Sequence, residues 1–385
     1  MTLKKCLSKI TMTAKTKKDW GKQLTTAFKD SYLYKKQIDI RSRVRSRLSS
    51  GSTLLDYILG GGIPMGRLIQ LYGRPESGKT AFCLHLLKQV QAAGGYAAYF
   101  QTEGTFDEKW VSALGVNCSD DAMAKGIFIM PKETKYAAAC FDAVETLLET
   151  YRTIYGESTH SPLFLIVWDS LGASIALEEA DKKMTKAPSP GRLAADISRG
   201  IRRLSSLLWG TNAAVVFINH VYSNIGVYFG PAERPKGGFA PHYFSDVILY
   251  LQAYNHKMPL IGKGIQQRVK LAKSKVSTDQ AEILLDLYLP SGISNLVGLN
   301  DLSSLWSYAE EKHIFKAAKM EFSSIQSFAK EYQSSPKLRS ELLLYLQDCL
   351  TRFPGLKNEY KINSSFKDQE EVEEEEEVNH AETIE

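Results

Sequence analysis

Short apolar runs rich in β-branched and aromatic residues recur through the middle of the chain, separated by helix-length stretches in which apolar positions return every three or four residues. The pattern predicts strands at 67–72, 96–101, 127–130, 163–168 and 213–219, most of them followed by a helix. That alternation is the sequence form of a mostly parallel sheet covered by helices on both faces. Three further runs, 247–253, 267–272 and 283–289, come without helical spacers, so an antiparallel extension of the sheet is expected. From 299 onward the pattern turns helical, over 299–312, 323–332 and 337–351. No internal repeat of roughly 20 to 50 residues is visible, which argues against solenoids and propellers. The longest apolar runs, 163–168 and 213–218, are strand-sized. A membrane helix needs about 20 such residues, so no membrane segment is expected.

Composition adds scale. At 385 residues with 44% hydrophobic, the chain has room for one large domain with a full core and one or two small units. The expected division is a basic arm over 1–47, an α/β core over 48–298, a small helical C-terminal domain over 299–362 and a disordered acidic tail over 363–385. Net charge is a modest +5, but the ends have opposite characters: 1–47 holds fourteen Lys or Arg against three Asp, and 366–385 holds ten Asp or Glu against one Lys. A basic arm is compatible with contact to phosphate, with packing on a neighbouring subunit and with a plain solvated face. An acidic tail can compete with nucleic acid for basic surfaces or simply solubilise. Five scattered cysteines, with no CxxC pair, point to reduced thiols in a cytosol-like compartment; an organellar one stays open.

The sharpest chemical signal is Gly73-Arg74-Pro75-Glu76-Ser77-Gly78-Lys79-Thr80, a GxxxxGK[ST] phosphate loop that follows a predicted strand and opens a predicted helix. Backbone N–H groups of such a loop close around phosphates, and the helix N-terminus adds a favourable dipole. Lys79 would reach the β and γ phosphates of ATP, and the Thr80 hydroxyl would ligate Mg²⁺. Such a loop needs an acidic residue at the end of a neighbouring strand, and Asp169 closes the run 163–168. Hydrolysis also needs a group that orients or deprotonates water. Glu103 stands just past the strand 96–101; its chemistry fits a base, and fits a plain surface carboxylate equally well.

These residues resemble the RecA recombinases of bacteria and their phage relatives such as UvsX. The similarity is densest over 48–114, in Ser49-Ser50-Gly51-Ser52, Leu54-Leu55-Asp56, Leu59-Gly60-Gly61-Gly62, Pro64-Met65-Gly66-Arg67, the phosphate loop and Glu103. It continues through Asp169-Ser170 and Phe217-Ile218-Asn219 to Ile225-Gly226-Val227-Tyr228-Phe229-Gly230 and Gly237-Gly238, which look like the family's second DNA-binding loop. The resemblance implies a RecA-type P-loop ATPase core, with Glu103 activating water, Trp110 stacking on adenine and Asp107 contacting the adenine amino group. It also implies that Lys273 and Lys275 reach across a subunit interface toward the γ-phosphate. A first DNA loop, about 174–192, carries Lys182, Lys183, Lys186 and Arg192; a second, 221–241, carries Tyr222, Ile225, Tyr228, Phe229, Arg234, Lys236, Gly237 and Gly238. Cations with aromatics suit single-stranded nucleic acid, because bases stack while phosphates are neutralised.

Three departures stand out. Pro75-Glu76-Ser77 comes one position later than in the family, behind Arg74. His220 stands where the family has a glutamine thought to sense the γ-phosphate and couple ATP to DNA. The family's DNA-contacting arginine of the first loop falls on Ala195 or Asp196, with Arg192, Arg199, Arg202 or Arg203 as substitutes. The expectation is an ATP- and Mg²⁺-dependent recombinase that filaments on single-stranded DNA and pairs it with homologous duplex DNA, alongside single-strand-binding and loader proteins. Its rivals are a RecA-fold accessory paralogue or mediator that binds DNA without exchanging strands, and a ring-forming helicase-type ATPase.

Overall fold

The computed structural model describes residues 46–104, 106–132, 134–156, 158, 160–176, 191–223, 233–235, 238–254, 264–277, 281–288, 297–301, 305–306, 321–335 and 338, with the backbone alone at 222–223, 233–235 and 333. A two-residue strand β1 (Arg47–Leu48) leads to helix α1 (Thr53–Ile58), β2 (Ile63–Pro64) and β3 (Leu68–Gly73). Then come α2 (Lys79–Ala92), β4 (Tyr96–Gln101), α3 (Glu108–Ala113), α4 (Asp120–Ala124), β5 (Phe128–Ile129), α5 (Ala137–Tyr155) and β6 (Phe164–Asp169). They are followed by α6 (Arg192–Leu208), β7 (Ala213–Ser223), β8 (Glu233–Pro235), α7 (Ala240–Phe244), β9 (Val247–Ala253), β10 (Gly264–Ser274), β11 (Glu282–Tyr288), β12 (Gly298–Asn300) and α8 (Ile325–Ser334).

The main sheet runs β12-β11-β10-β9-β3-β7-β6-β4-β5, with β8 paired to β7. From β9 to β5 every pairing is parallel; β10, β11 and β12 add antiparallel. The parallel strands β3 and β6, and β7 from Ala213 to Asn219, are almost wholly buried, as expected where helices cover both faces. On one face α2 packs Phe82, Leu86 and Val90 against Ile69, Leu71 and Val216. On the other, α5 and α6 pack Phe141, Leu148, Ile201 and Leu204 against Trp168 and Phe217. Each fully buried large apolar side chain contributes about 1.5–3 kcal/mol, so the two cores fix where the strand ends stand.

Among the differences from the sequence pattern, which include a longer β10 (Gly264–Ser274 against 267–272) and a shorter β5 (Phe128–Ile129 against 127–130), two have a clear physical cause. The strand expected over 213–219 runs on to Ser223, because its end finds a second partner in β8, with Val221 opposite Pro235 and Tyr222 opposite Arg234. The helix expected from Leu299 is preceded by strand instead: Gly298–Asn300 pairs with β11, and the Leu299 N–H donates to Nδ1 of His85 on α2 at 3.1 Å. That bond leaves the His85 Nε2 proton for the Ser50 carbonyl at 2.8 Å, and burial pulls the ring's pKa down to about 4, so it is neutral. A three-residue strand is too short to show alternation, which is why its leucine reads as the start of a helical pattern. The arm over 1–45, the tail and nearly all of 337–351 lie outside the described residues.

Candidate nucleotide site at the strand ends

The phosphate loop leaves the C-terminal end of β3 and enters α2. Gly73 is required by packing, since a Cβ there would run into the Leu251 carbonyl of β9. Gly78 caps α2 at φ 79°, a left-handed conformation open to glycine, and faces the Gln267 amide. Glu76 holds φ 60° without being glycine, a local strain of the kind met in ligand-binding loops. Arg74, Pro75 and Glu76 are exposed and Ser77 is buried. From β10, Gln267 Nε2 donates to the Ser77 carbonyl at 2.5 Å and ties the loop to the antiparallel extension. The Lys79 ammonium donates to the Gly73 and Arg74 carbonyls at 3.1 and 2.6 Å, folded back over the loop. Burial pulls its pKa below the ordinary lysine value, opposed by the charges of Asp169 and Glu103.

Parallel pairing of β4 with β6 sets Gln101 opposite Asp169, and the residues just beyond build the rest of the site. Asp169 Oδ2 accepts from Thr80 Oγ1 at 2.7 Å and from the Tyr99 hydroxyl at 3.1 Å. Burial raises the Asp169 carboxyl above the usual aspartate range, although both hydrogen bonds work against the rise. Glu103 Oε1 accepts from Ser170 Oγ at 2.8 Å and lies 2.7 Å from His220 Nε2. Burial alone would raise the Glu103 carboxyl, but the His220 and Ser170 hydrogen bonds, with the charges of His220 and Lys79, hold it below the ordinary glutamate value. The structure thus gathers Lys79, Thr80, Glu103, Asp169 and His220 at one end of the sheet. Sequence reasoning missed Tyr99, Thr102, Ser170 and Gln267. The Asp169-Ser170 dipeptide was the one available signal; the others look like ordinary strand residues.

Asp107 is exposed and serves as the N-cap of α3, its Oδ1 accepting from the Lys109 and Trp110 N–H groups at 2.9 and 3.2 Å. Trp110 is half-buried and rests one side on the core beneath α3. Lys273 and Lys275 sit elsewhere. Lys273 Nζ donates to the His242 and Tyr243 carbonyls at 2.8 and 2.9 Å, and Lys275 Nζ pairs with Asp246 at 3.2 Å. Lys273 is opposite Ile248, which is opposite Gln70 of β3, so both lysines lie toward the strand ends away from this chain's own phosphate loop.

Among the candidate DNA contacts, Arg192 and Arg202 are exposed on α6, Arg202 with its Nε on the Ser198 carbonyl at 3.0 Å. Asp196 is a buried partner of Arg199 at 2.9 Å and of Arg192 at 3.9 Å, which suits an ion-pair role better than a phosphate contact. Arg203 is held by Glu145 at 2.5 Å. Gly238 is described, with φ 76°, and the backbones of Tyr222 and Arg234 are register partners in the β7–β8 ladder. Lys182, Lys183, Lys186, Ile225, Tyr228, Phe229, Lys236 and Gly237 lie outside the described residues.

The donor set fits a hard divalent cation: a hydroxyl and a carboxylate oxygen 2.7 Å apart at the mouth of a phosphate loop. Among the described residues no group of three His, Cys, Asp or Glu could hold a metal alone. A hydroxyl and a carboxylate oxygen suit Mg²⁺, which takes one or two protein oxygens and completes its shell with water and substrate phosphates. Thr80 and Asp169 would hold it. No helix among the described residues is long and apolar enough to cross a membrane.

A phosphate loop on the middle strand of a mostly parallel sheet, with the buried carboxylate of Asp169 on the second strand along and the Glu103 carboxylate just past the third, defines an α/β core of the P-loop class. The family model for the RecA N-terminal domain matches residues 17–294. The RecA protein of Mycoplasma mycoides is 33% identical over 278 residues, 69% of this chain and 74% of that protein. That of Bartonella bacilliformis is 32% identical over 257 residues, covering 66% and 69%, and that of Gloeobacter violaceus 31% over 273, covering 71% and 69%. A crystal structure of the RadB recombinase aligns at 22% identity and a TM-score of 0.44, over 66% of this chain and 98% of that one. The chain belongs to the RecA family, whose members bind ATP and DNA in recombination and repair.

Proposed function

We propose that this protein is a DNA-dependent ATPase that assembles on single-stranded DNA and exchanges strands with a homologous duplex. The observation that carries this reading is the 2.7 Å contact between Glu103 and His220. Glu103 is the proposed base for water, and His220 stands on β7 immediately before the glycine- and aromatic-rich segment 221–241 assigned to DNA. A base in direct contact with the strand that leads to the DNA loop gives hydrolysis and DNA binding a shared element, which a ring ATPase or a passive mediator does not need.

In this reading the loop N–H groups and Lys79 bind the phosphates, and Thr80 with Asp169 would hold the metal, which would neutralise phosphate charge. Glu103 takes the proton of the attacking water, and Trp110 flanks the adenine. Lys273 and Lys275 serve the neighbouring subunit's γ-phosphate; their position away from this chain's own loop supports that. A basic arm that packs on the adjacent protomer completes the filament.

The decisive experiment pairs circular single-stranded DNA with homologous linear duplex, with and without ATP. Strand exchange that needs ATP is the expected result. DNA binding and ATP hydrolysis without joint molecules would point to the accessory class, and closed rings without filaments in micrographs to the helicase class.

A further inference from the structure

Thr102 and Ser170 are the first residues beyond the paired strands β4 and β6, and they interlock. The Ser170 N–H donates to Thr102 Oγ1 at 2.8 Å, and Thr102 Oγ1 donates back to the Ser170 carbonyl, also at 2.8 Å. The Thr102 N–H donates to the Asp169 carbonyl at 2.7 Å. Three hydrogen bonds therefore extend the register of the sheet past its last ladder pair. Ser170 is fully buried, and its remaining polar atom, the side-chain hydroxyl, points at Glu103 Oε1, 2.8 Å away.

Glu103 itself has little else to hold it. It follows the strand end, its side chain is 35% exposed, and its backbone turns at Gly104, whose N–H is taken by the Gln101 side chain at 2.9 Å. A glutamate in such a place loses rotamer freedom only through its hydrogen bonds. Two donors meet it, Ser170 and His220, and both engage the same oxygen, Oε1. His220 belongs to the strand that leads into the DNA segment, whereas Ser170 is bound to the sheet through Thr102.

We propose that Ser170, locked by Thr102, is a positioning residue for hydrolysis: it fixes Glu103 Oε1 to the sheet so that Oε2 is presented to the attacking water. The proposal rests on the reading of Glu103 as the base. It predicts a signature that mere structural support would not give. Orienting a base changes the rate of the chemical step and leaves ground-state nucleotide binding alone, so the loss falls on kcat. Removing a donor from the carboxylate also raises the pH at which the base ionises, with His220, Lys79 and Asp169, the charged or titratable groups around it, left in place.

The test measures DNA-stimulated ATP hydrolysis by the full chain for wild type, Ser170→Ala, Thr102→Val, Thr102→Ser and Glu103→Gln. Ser170→Ala is expected to lower kcat about 10-fold with KM within about twofold, and to move the acid limb of the pH profile upward. Thr102→Val, close to isosteric, should act in the same direction, and Thr102→Ser, which keeps the hydroxyl, should recover most of the loss. An unchanged kcat in Ser170→Ala, or a KM that rises in step with the loss, overturns the proposal. Should Ser170→Ala not fold, the Thr102 pair decides, and equal rates for Val and Ser overturn it. Full activity of Glu103→Gln, or a wild type that does not hydrolyse ATP on DNA, instead brings down the reading of the base, and this proposal with it.

Discussion

Two carboxylates stand at the ends of adjacent strands in this site, and their surroundings are opposite. Asp169 is 4% exposed, with burial pushing its carboxyl upward and two hydroxyls, from Thr80 and Tyr99, donating to one oxygen. Glu103 has a half-open side chain, and its hydrogen bonds to His220 and Ser170 overcome burial and keep the carboxyl below its ordinary value. A buried carboxylate whose charge is only partly offset by its neighbours invites a cation; an accessible one that stays ionised is ready to accept a proton. The charge on Glu103 also raises Asp169 further, so each ionised carboxylate makes a cation between them more favourable. In the proposed reading, separation of pKa values by environment lets one end of the sheet offer both a metal ligand and a base.

The largest expected effect tests whether the pair suffices without a neighbour. Lys273→Ala with Lys275→Ala should leave ATP binding by isolated protomers nearly intact and remove DNA-stimulated hydrolysis, because a cation supplied in trans is worth about 10³ to 10⁵ in rate. Mixing this variant with Lys79→Ala should restore part of the activity, measured as phosphate release, since an intact loop on one subunit meets intact lysines on the next. An inactive mixture that co-assembles on DNA would return both lysines to the local bonds they make with α7 and Asp246.

The next pair of variants separates the two carboxylates directly. Glu103→Gln should bind ATP and DNA yet hydrolyse at least ~10²-fold more slowly. Asp169→Asn should fail earlier, at metal-dependent nucleotide binding, seen as a higher Mg²⁺ requirement in a fluorescent-nucleotide titration. If both variants lose only turnover, or both lose only binding, the division of labour between the strands is wrong. On the acid side, activity should fall as Glu103 protonates, and the midpoint should lie lower than for an ordinary glutamate because its folded-state pKa is depressed.

Much of this was legible in the sequence, for physical reasons that can be named. The phosphate loop shows because its glycines are forced, Gly73 by the Leu251 carbonyl and Gly78 by a left-handed turn. Asp169 shows because a charge closing a fully apolar strand is conspicuous. Strands 96–101 and 247–253 were read with their observed bounds, since turn residues and breaks in hydrophobicity flank both. Other features could not be read because they depend on register. Ser170 becomes a partner of Glu103 only when β4 and β6 pair in parallel, and Gln267 reaches Ser77 from 190 residues away. The placement of Lys273 and Lys275 needed family resemblance, as lysines on an antiparallel strand carry no signal of their own.

The smallest effect falls on Tyr99, which alternation alone marks as a plain core residue. It is buried on β4 with its hydroxyl on Asp169 Oδ2, the oxygen that Thr80 also donates to. Tyr99→Phe keeps the ring and its packing near Phe106, at a centroid distance of 6.2 Å, and removes only the donor. A hydrogen bond to a charged group contributes about 1.5–3 kcal/mol, but Thr80 remains on the same oxygen, so a loss near ~1 kcal/mol is expected. That corresponds to roughly a fivefold rise in the Mg²⁺ concentration needed for half-maximal nucleotide binding, with DNA binding unchanged. Because the lost donor also held the carboxyl down, Asp169 should protonate more readily, and the effect should grow as pH falls. An identical Mg²⁺ midpoint in Tyr99→Phe would show that Thr80 alone orients Asp169, and that the metal corner needs only one of its two hydroxyl donors.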